Sequence, residues 1–216
     1  MKLLLIGMGP GNGLSIAKRF GRGGFEILMV ARNENKLKEY EAELGSAGIL
    51  TKGYAVDIAD DDSFAHLLEL IVAEHRDIEV LQYNASAFNP APPSQISLPV
   101  FLNDLKVNVI GALLASQAVF PQMKNRQRGA ILFTGGGTAM QAPAALASLG
   151  IGKAGIRNLT FSLAQECKPH GIHVATITIG GMVQPGTKFD PDLIAGEFWR
   201  LYQQPKEAWE TEVVWQ

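Results

Sequence analysis

Short apolar runs without polar alternation recur along the chain at residues 2–6, 25–31, 49–55, 78–83, 129–134 and 172–179, with a weaker one at 211–215. A strand buried on one face alternates apolar and polar residues, whereas a continuous apolar run of this length fits a parallel-sheet strand covered on both faces. Between the runs, apolar residues return at helical spacing over roughly 13–21, 34–45, 61–74, 98–124 and 147–168, and a shorter helix is expected at 190–203. The regular β-α alternation through the first four strands calls for right-handed crossovers and a sheet sandwiched between two helical layers. Gly45 and Gly48 are expected to end the second helix. Asp60, Asp61 and Asp62 supply a cap and favourable charge to the third, which accounts for the acidic triplet without a metal ion; no metal site is expected. The pattern breaks only at 87–99, where Pro90, Pro92, Pro93 and Pro99 mark an irregular loop after the fourth strand. Residues 1–216 therefore read as one domain.

Composition adds exclusions. Of 216 residues 47% are hydrophobic and 19% charged, enough to fill a three-layer core. A net charge of −2 offers no basic field for a nucleic acid, and Lys124, Arg126 and Arg128 read as a solvated loop. The single cysteine, Cys167, forms no internal disulfide and suits a reducing compartment. Leu3–Ile6 is too short for a signal peptide, and no window approaches the roughly 20 apolar residues of a membrane helix. The expectation is a cytoplasmic protein without membrane or nucleic-acid partners.

The chemistry starts at the first strand-to-helix turn, where glycines stand at 7, 9, 11 and 13. Such a turn reverses tightly and brings backbone N–H groups to a pyrophosphate at the helix N-terminus. Strand before, helix after and a complete βαβ unit around it point to a Rossmann-type dinucleotide site; a purely structural turn is the competing reading. The second strand ends in Arg32–Asn33, with no acid before Glu34. An acid there would hold the adenosine ribose 2′-hydroxyl, whereas arginine's planar fork suits a 2′-phosphate, so NADP(H) is favoured over NAD(H). The plain alternative is an exposed loop arginine.

With these residues in view, the chain from residue 1 to about 185 resembles the short-chain dehydrogenase/reductase family. Gly7, Gly11 and Gly13, with Asn12 and Leu14 between and beyond, follow its G-x-x-x-G-x-G turn. Asp57–Ile58 resembles its adenine-side pair, Asn84–Ala85–Ser86 its Asn-Ala-Gly, and Asn108 the asparagine of its long central helix. The resemblance implies a three-layer α/β Rossmann fold with a doubly wound, mostly parallel, seven-stranded sheet. It also implies a homodimer or homotetramer and hydride exchange with a small carbonyl or alcohol substrate.

The family's proton donor is a tyrosine four residues before a lysine, with a serine binding the substrate oxygen. Here the lysine corresponds to Lys153, the tyrosine position to Leu149 and the serine position to Gly136, inside Gly135–Gly136–Gly137. Leucine has no proton to give, and Ser148 lies about 100° around the helix from that place. Lys153 and Asn108 are the remaining catalytic candidates. The resemblance gives Lys153 the nicotinamide ribose; a surface lysine, and an Asn108 that merely satisfies buried backbone, are the competing readings. The three bare glycines offer N–H groups to an oxyanion, or simply admit a bulkier substrate. Gly180 takes the place of the family's turn over the nicotinamide. Residues 186–210, with Phe189, Phe198, Trp199, Tyr202 and Trp209, form either a small substrate lid or aromatic packing. Three functions stay open: an oxidoreductase with a non-standard proton donor, a non-catalytic NADP(H)-binding sensor or scaffold, and a lyase or isomerase using the cofactor structurally.

Overall fold

A computed structural model describes all residues, 1–216. Seven strands, β1 (Lys2–Ile6), β2 (Glu26–Ala31), β3 (Thr51–Ala55), β4 (Ile78–Tyr83), β5 (Gly129–Thr134), β6 (Ile172–Ile179) and β7 (Glu212–Trp215), form one sheet. Their order is β3-β2-β1-β4-β5-β6-β7, every pair parallel. The eight helices are α1 (Asn12–Arg22), α2 (Glu34–Ser46), α3 (Asp61–Glu74), α4 (Leu98–Leu105), α5 (Gly111–Arg126), α6 (Thr138–Gln141), α7 (Ala147–Cys167) and α8 (Pro191–Tyr202).

Strand geometry explains the unbroken apolar runs. Successive β1 side chains point to opposite faces: Leu3 and Leu5 join one core with Ile16 and Phe20 of α1 and Ile194 and Phe198 of α8. Leu4 and Ile6 join the other, with Phe64 of α3, Val119 of α5 and Ile156 of α7. All of these except Ile156 are fully enclosed, each burial contributing roughly 1.5–3 kcal/mol. The cap expected at α3 is present, the Asp60 carboxylate accepting from Ser63 N–H at 3.1 Å, and the Asn33 side chain caps α2 by accepting from Lys36 N–H at 3.0 Å. One boundary differs, because Gly45 lies inside α2 and the left-handed residue beyond its end is Gly48, φ +75°.

The helix expected at 98–124 is continuous from Leu98 to Arg126 but carries a π turn over Lys106–Ile110 between α4 and α5. The extra residue of a π turn loosens the regular ladder. Here the Val107 carbonyl accepts a hydrogen bond from the Tyr83 hydroxyl of β4. Gly111 permits the contact, since a Cβ there would lie 2.5 Å from the Tyr83 oxygen. This long helix also corrects the reading that no window approaches a membrane span. It is 29 residues long, and an 18-residue stretch reaches a mean hydropathy of 1.4. Ala112, Ala115, Val119 and Met123 are fully buried against the core, while Leu98, Val100, Leu102, Ile110 and Leu113 are exposed.

Candidate functional site

The strand order reverses between β1 and β4, and a reversal of this kind opens a crevice at the carboxyl ends of the strands. A cavity of about 480 Å³ lies there, and Gly7, Arg32, Asp57, Ile58, Asn84 and Ala85 all line it. Six positions scattered over 79 residues of sequence are thus brought to one surface.

The turn between β1 and α1 uses its glycines for different ends. Gly7 has φ +91°, and a Cβ on it would sit 2.4 Å from Ala85 N, so only glycine fits between β1 and the end of β4. Gly13 packs α1 onto the turn, with Gly7 O and Met8 Cα 3.2 Å from where its Cβ would be. At Gly9 and Gly11 a Cβ would meet nothing within 4 Å, so the space before the helix is open. Gly11 caps α1 without a side-chain bond. Leu14 N–H donates to Gly9 O at 2.9 Å, while the N–H groups of Asn12 and Gly13 find no backbone acceptor. Asn12 Oδ1 is buried without a partner. Two free amides at a helix N-terminus, beside open space, fit a dinucleotide pyrophosphate.

At the cavity rim Arg32 is exposed and makes no ion pair within the chain. Asp57 Oδ1 accepts from Ala59 N–H at 3.0 Å, and Ile58 is buried beneath. A string of polar groups ties three strand ends together. Gln82 Nε2 donates to Thr134 Oγ1 (3.2 Å), Thr134 Oγ1 to Asn84 Oδ1 (2.9 Å), and Asn84 Nδ2 to Gly7 O (2.9 Å). Reading the sequence missed Gln82 and Thr134; the signal available was a glutamine next to the last residue of β4.

Around β5 and α7 the candidate catalytic residues separate by role. Lys153 is 8% exposed, and its ammonium donates to Thr134 O at 2.7 Å. It is therefore not a surface lysine, and burial pulls its pKa down to about 8. Asn108, inside the π turn, accepts from Ala87 N–H at 2.9 Å and donates to Ala87 O at 3.2 Å. It holds the loop after β4 against the helix, which is the backbone-satisfying reading. Leu149, one turn before Lys153 on α7, is half-buried, and Ser148 turns away to donate to the buried Asp104 at 2.5 Å. Asp104 also accepts from Asn89 at 2.6 Å. Gly152 and Gly155 are explained by helix packing: Cβ atoms there would lie 2.6 Å from Asn108 Cβ and 2.8 Å from Val109 Cγ2.

Gly136 has room for a Cβ, which would stand 3.4 Å from Lys153 Cγ at ordinary contact distance. Its neighbours are less free than their bareness suggests. Gly135 N–H donates to Ile177 O (2.9 Å) and Gly137 N–H to Ile179 O (2.8 Å). Only the Gly136 amide is left without a backbone acceptor, so three amides do not converge on an oxyanion. Gly180 N–H is likewise taken by Trp215 O of β7 at 2.8 Å. Within 186–210, α8 packs on α1: Phe198 is fully buried and Trp199 lies edge-on to Phe20, 5.2 Å between centroids, with Arg19 stacked on its face. Trp209 stacks on His173. Phe189 instead covers Gly181 beside the strand ends, where Trp215 Nε1 donates to Lys188 O at 2.7 Å.

Known proteins share this architecture. A family model described as short chain dehydrogenase matches residues 2–191. A very-long-chain 3-oxoacyl-CoA reductase of Coccidioides immitis is 29% identical over 180 residues, 81% of this chain and 51% of the relative. One from Aspergillus terreus is 31% identical over 180 residues, 81% and 50%. The chain thus spans about half the length of these curated relatives. Among solved structures, a short-chain dehydrogenase from Rhodopseudomonas palustris superposes with a TM-score of 0.89 at 29% identity, covering 100% of this chain and 97% of that one. A metagenomic short-chain oxidoreductase in complex with NADP gives 0.89 at 25% identity, covering 99% and 96%. With the family model spanning β1 to the start of α8, the chain belongs to the short-chain dehydrogenase family.

Proposed function

We propose that this protein is an NADP(H)-dependent oxidoreductase that interconverts a small carbonyl compound and its alcohol, with a proton donor other than a tyrosine. The observation that carries the reading is the β1–α1 turn, whose Gly7 and Met8 line a cavity together with the unpaired Arg32 and whose Asn12 and Gly13 amides are free. When bound, the reduced nicotinamide supplies the hydride. Gly11, Asn12 and Gly13 would hold the pyrophosphate, Asp57 and Ile58 the adenine side, Arg32 the 2′-phosphate, and Lys153 the nicotinamide ribose. The NADP in the metagenomic oxidoreductase and the names of the 3-oxoacyl-CoA reductases favour this cofactor and a carbonyl substrate class. Exposed Leu113 of α5 and Ile151 and Phe161 of α7 offer an apolar face for a homodimer.

A second reading, a cofactor-binding sensor without turnover, draws on Leu149 and Gly136, which bring no acid or hydroxyl to the expected reaction centre. Fluorescence titration with NADPH and NADH, followed by NADPH oxidation against 3-oxoacyl thioesters, ketones and aldehydes, separates the two. Binding with turnover supports the enzyme; tight NADPH binding without any turnover supports the sensor; binding of neither nucleotide ends both.

A further inference from the structure

We propose that Lys153 itself is the proton donor of the reduction, releasing an N–H proton to a carbonyl oxygen lodged in the space left bare at Gly136. This rests on the oxidoreductase reading and asks which group could complete it. The three atoms nearest to a Cβ built on Gly136 are Cγ, Cδ and Cε of Lys153, at 3.4, 3.6 and 3.6 Å. A group at that position would therefore meet the lysine stem at ordinary contact distance, with the ammonium one bond beyond Cε. The ammonium has three protons, and one is engaged by Thr134 O at 2.7 Å. No carboxylate pairs with it to hold the others.

The neighbouring candidates fail on chemistry or on placement. Leu149 carries no proton. Asn108 is an amide with both ends committed to Ala87. Asp104 is fully buried, its two oxygens taken by Asn89 and Ser148. Thr138 Oγ1 is buried without a partner, but an alcohol is too weak an acid for the task. Lys153 combines position with acidity: burial brings it to about 8, and a general acid works best when its pKa lies near the working pH.

The step balances. The hydride adds to the carbonyl carbon and the C=O π pair moves to oxygen. An O–H bond forms there as one N–H bond of the ammonium breaks. The two electrons come from the reduced nicotinamide, and lysine is left as a neutral amine that regains its proton from solvent.

The test begins with the whole chain carrying ¹³C-lysine, titrated by NMR with and without NADPH. One lysine Cε resonance should titrate near 8 and vanish in Lys153→Arg; titration at the ordinary lysine value of about 10.4 overturns the proposal. The second arm follows NADPH oxidation with a 3-oxoacyl thioester against pH. Wild-type turnover should fall about tenfold per pH unit above the measured lysine pKa. Lys153→Arg keeps a cation that gives up no proton, so it should bind NADPH yet lose turnover about 10²-fold or more. An arginine variant that keeps turnover overturns the proposal, and the wild-type pH profile decides it if that variant does not fold. A wild type that binds NADPH, titrates near 8 and reduces nothing refutes the oxidoreductase reading and this proposal with it; turnover with the lysine titrating high refutes the proposal alone.

Discussion

At the β1–β3 end of the crevice the proposed recognition rests on backbone: a left-handed Gly7, free amides at Asn12 and Gly13, and open space at Gly9 and Gly11, with Arg32 as the unpaired cation lining the cavity. At the β5–β6 end the same fold offers Gly136 where a hydroxyl is expected, Leu149 where a phenol is expected, and Lys153 as the one buried cation. Backbone recognition tolerates little change, because it depends on the path of the chain itself. Side-chain chemistry is exchanged one residue at a time with the scaffold intact. The proposed cofactor and catalytic roles thus fall at opposite ends of the crevice, so substitutions at one end can be tested without touching the other.

The largest expected effect breaks the backbone end. Gly7→Ala places a methyl 2.4 Å from Ala85 N at φ +91°, combining left-handed strain of roughly 1–2 kcal/mol with overpacking of about 1–3 kcal/mol. Thermal and urea unfolding should show that combined loss, with weakened NADPH binding.

Lys153→Met should act in the opposite direction on stability. An unfolded chain keeps this lysine protonated up to about 10.5, the folded one only to about 8. Below pH 8 both states are protonated and the folded state bears the cost of burying charge, at most roughly 3 kcal/mol. Between about 8 and 10.5 the folded lysine sheds its proton and the cost disappears. The cofactor-free variant should therefore outlast wild type at pH 7, with the difference in melting temperature closing as pH rises past 8. A difference independent of pH would show that the buried charge is not its source.

Leu149→Tyr with Gly136→Ser is the third probe. A side chain at 136 finds ordinary contact distance to Lys153, so the double variant should fold and gain carbonyl reductase activity by about 10²-fold. No gain in a folded, NADPH-binding variant would place the reaction centre elsewhere. Smallest is Arg32→Ala, which should weaken NADPH about tenfold while leaving NADH unchanged, the scale of one charge-assisted contact. Equal losses for both nucleotides would take the 2′-phosphate away from Arg32.

Much of this was legible before any coordinates. Both-face burial makes strands into unbroken apolar runs, so all seven were read to within two residues at either end, and the glycine spacing located the turn. What escaped depended on partners distant in sequence. The string from Gln82 through Thr134 to Asn84 joins residues up to 52 apart, and neither Gln82 nor Thr134 announces its neighbour. Asn108 was left between two readings because only the loop folding back through Ala87 says what its amide bonds.

Local pattern by itself determined the layers, the parallel sheet and the position of the glycine turn, because periodicity and backbone freedom are properties of neighbouring residues; Asp57, Ile58 and Asn84 came from the family resemblance. Tertiary structure alone decided that two of the three glycine amides at 135–137 are spent on β6, and that α8 and Trp199 belong to the core. It also decided that Lys153 is enclosed, with its stem against Gly136. Each of these turns on which distant group occupies the adjacent volume, and burial, which sets the acidity of Lys153, exists only once the sheet and helices have closed around it.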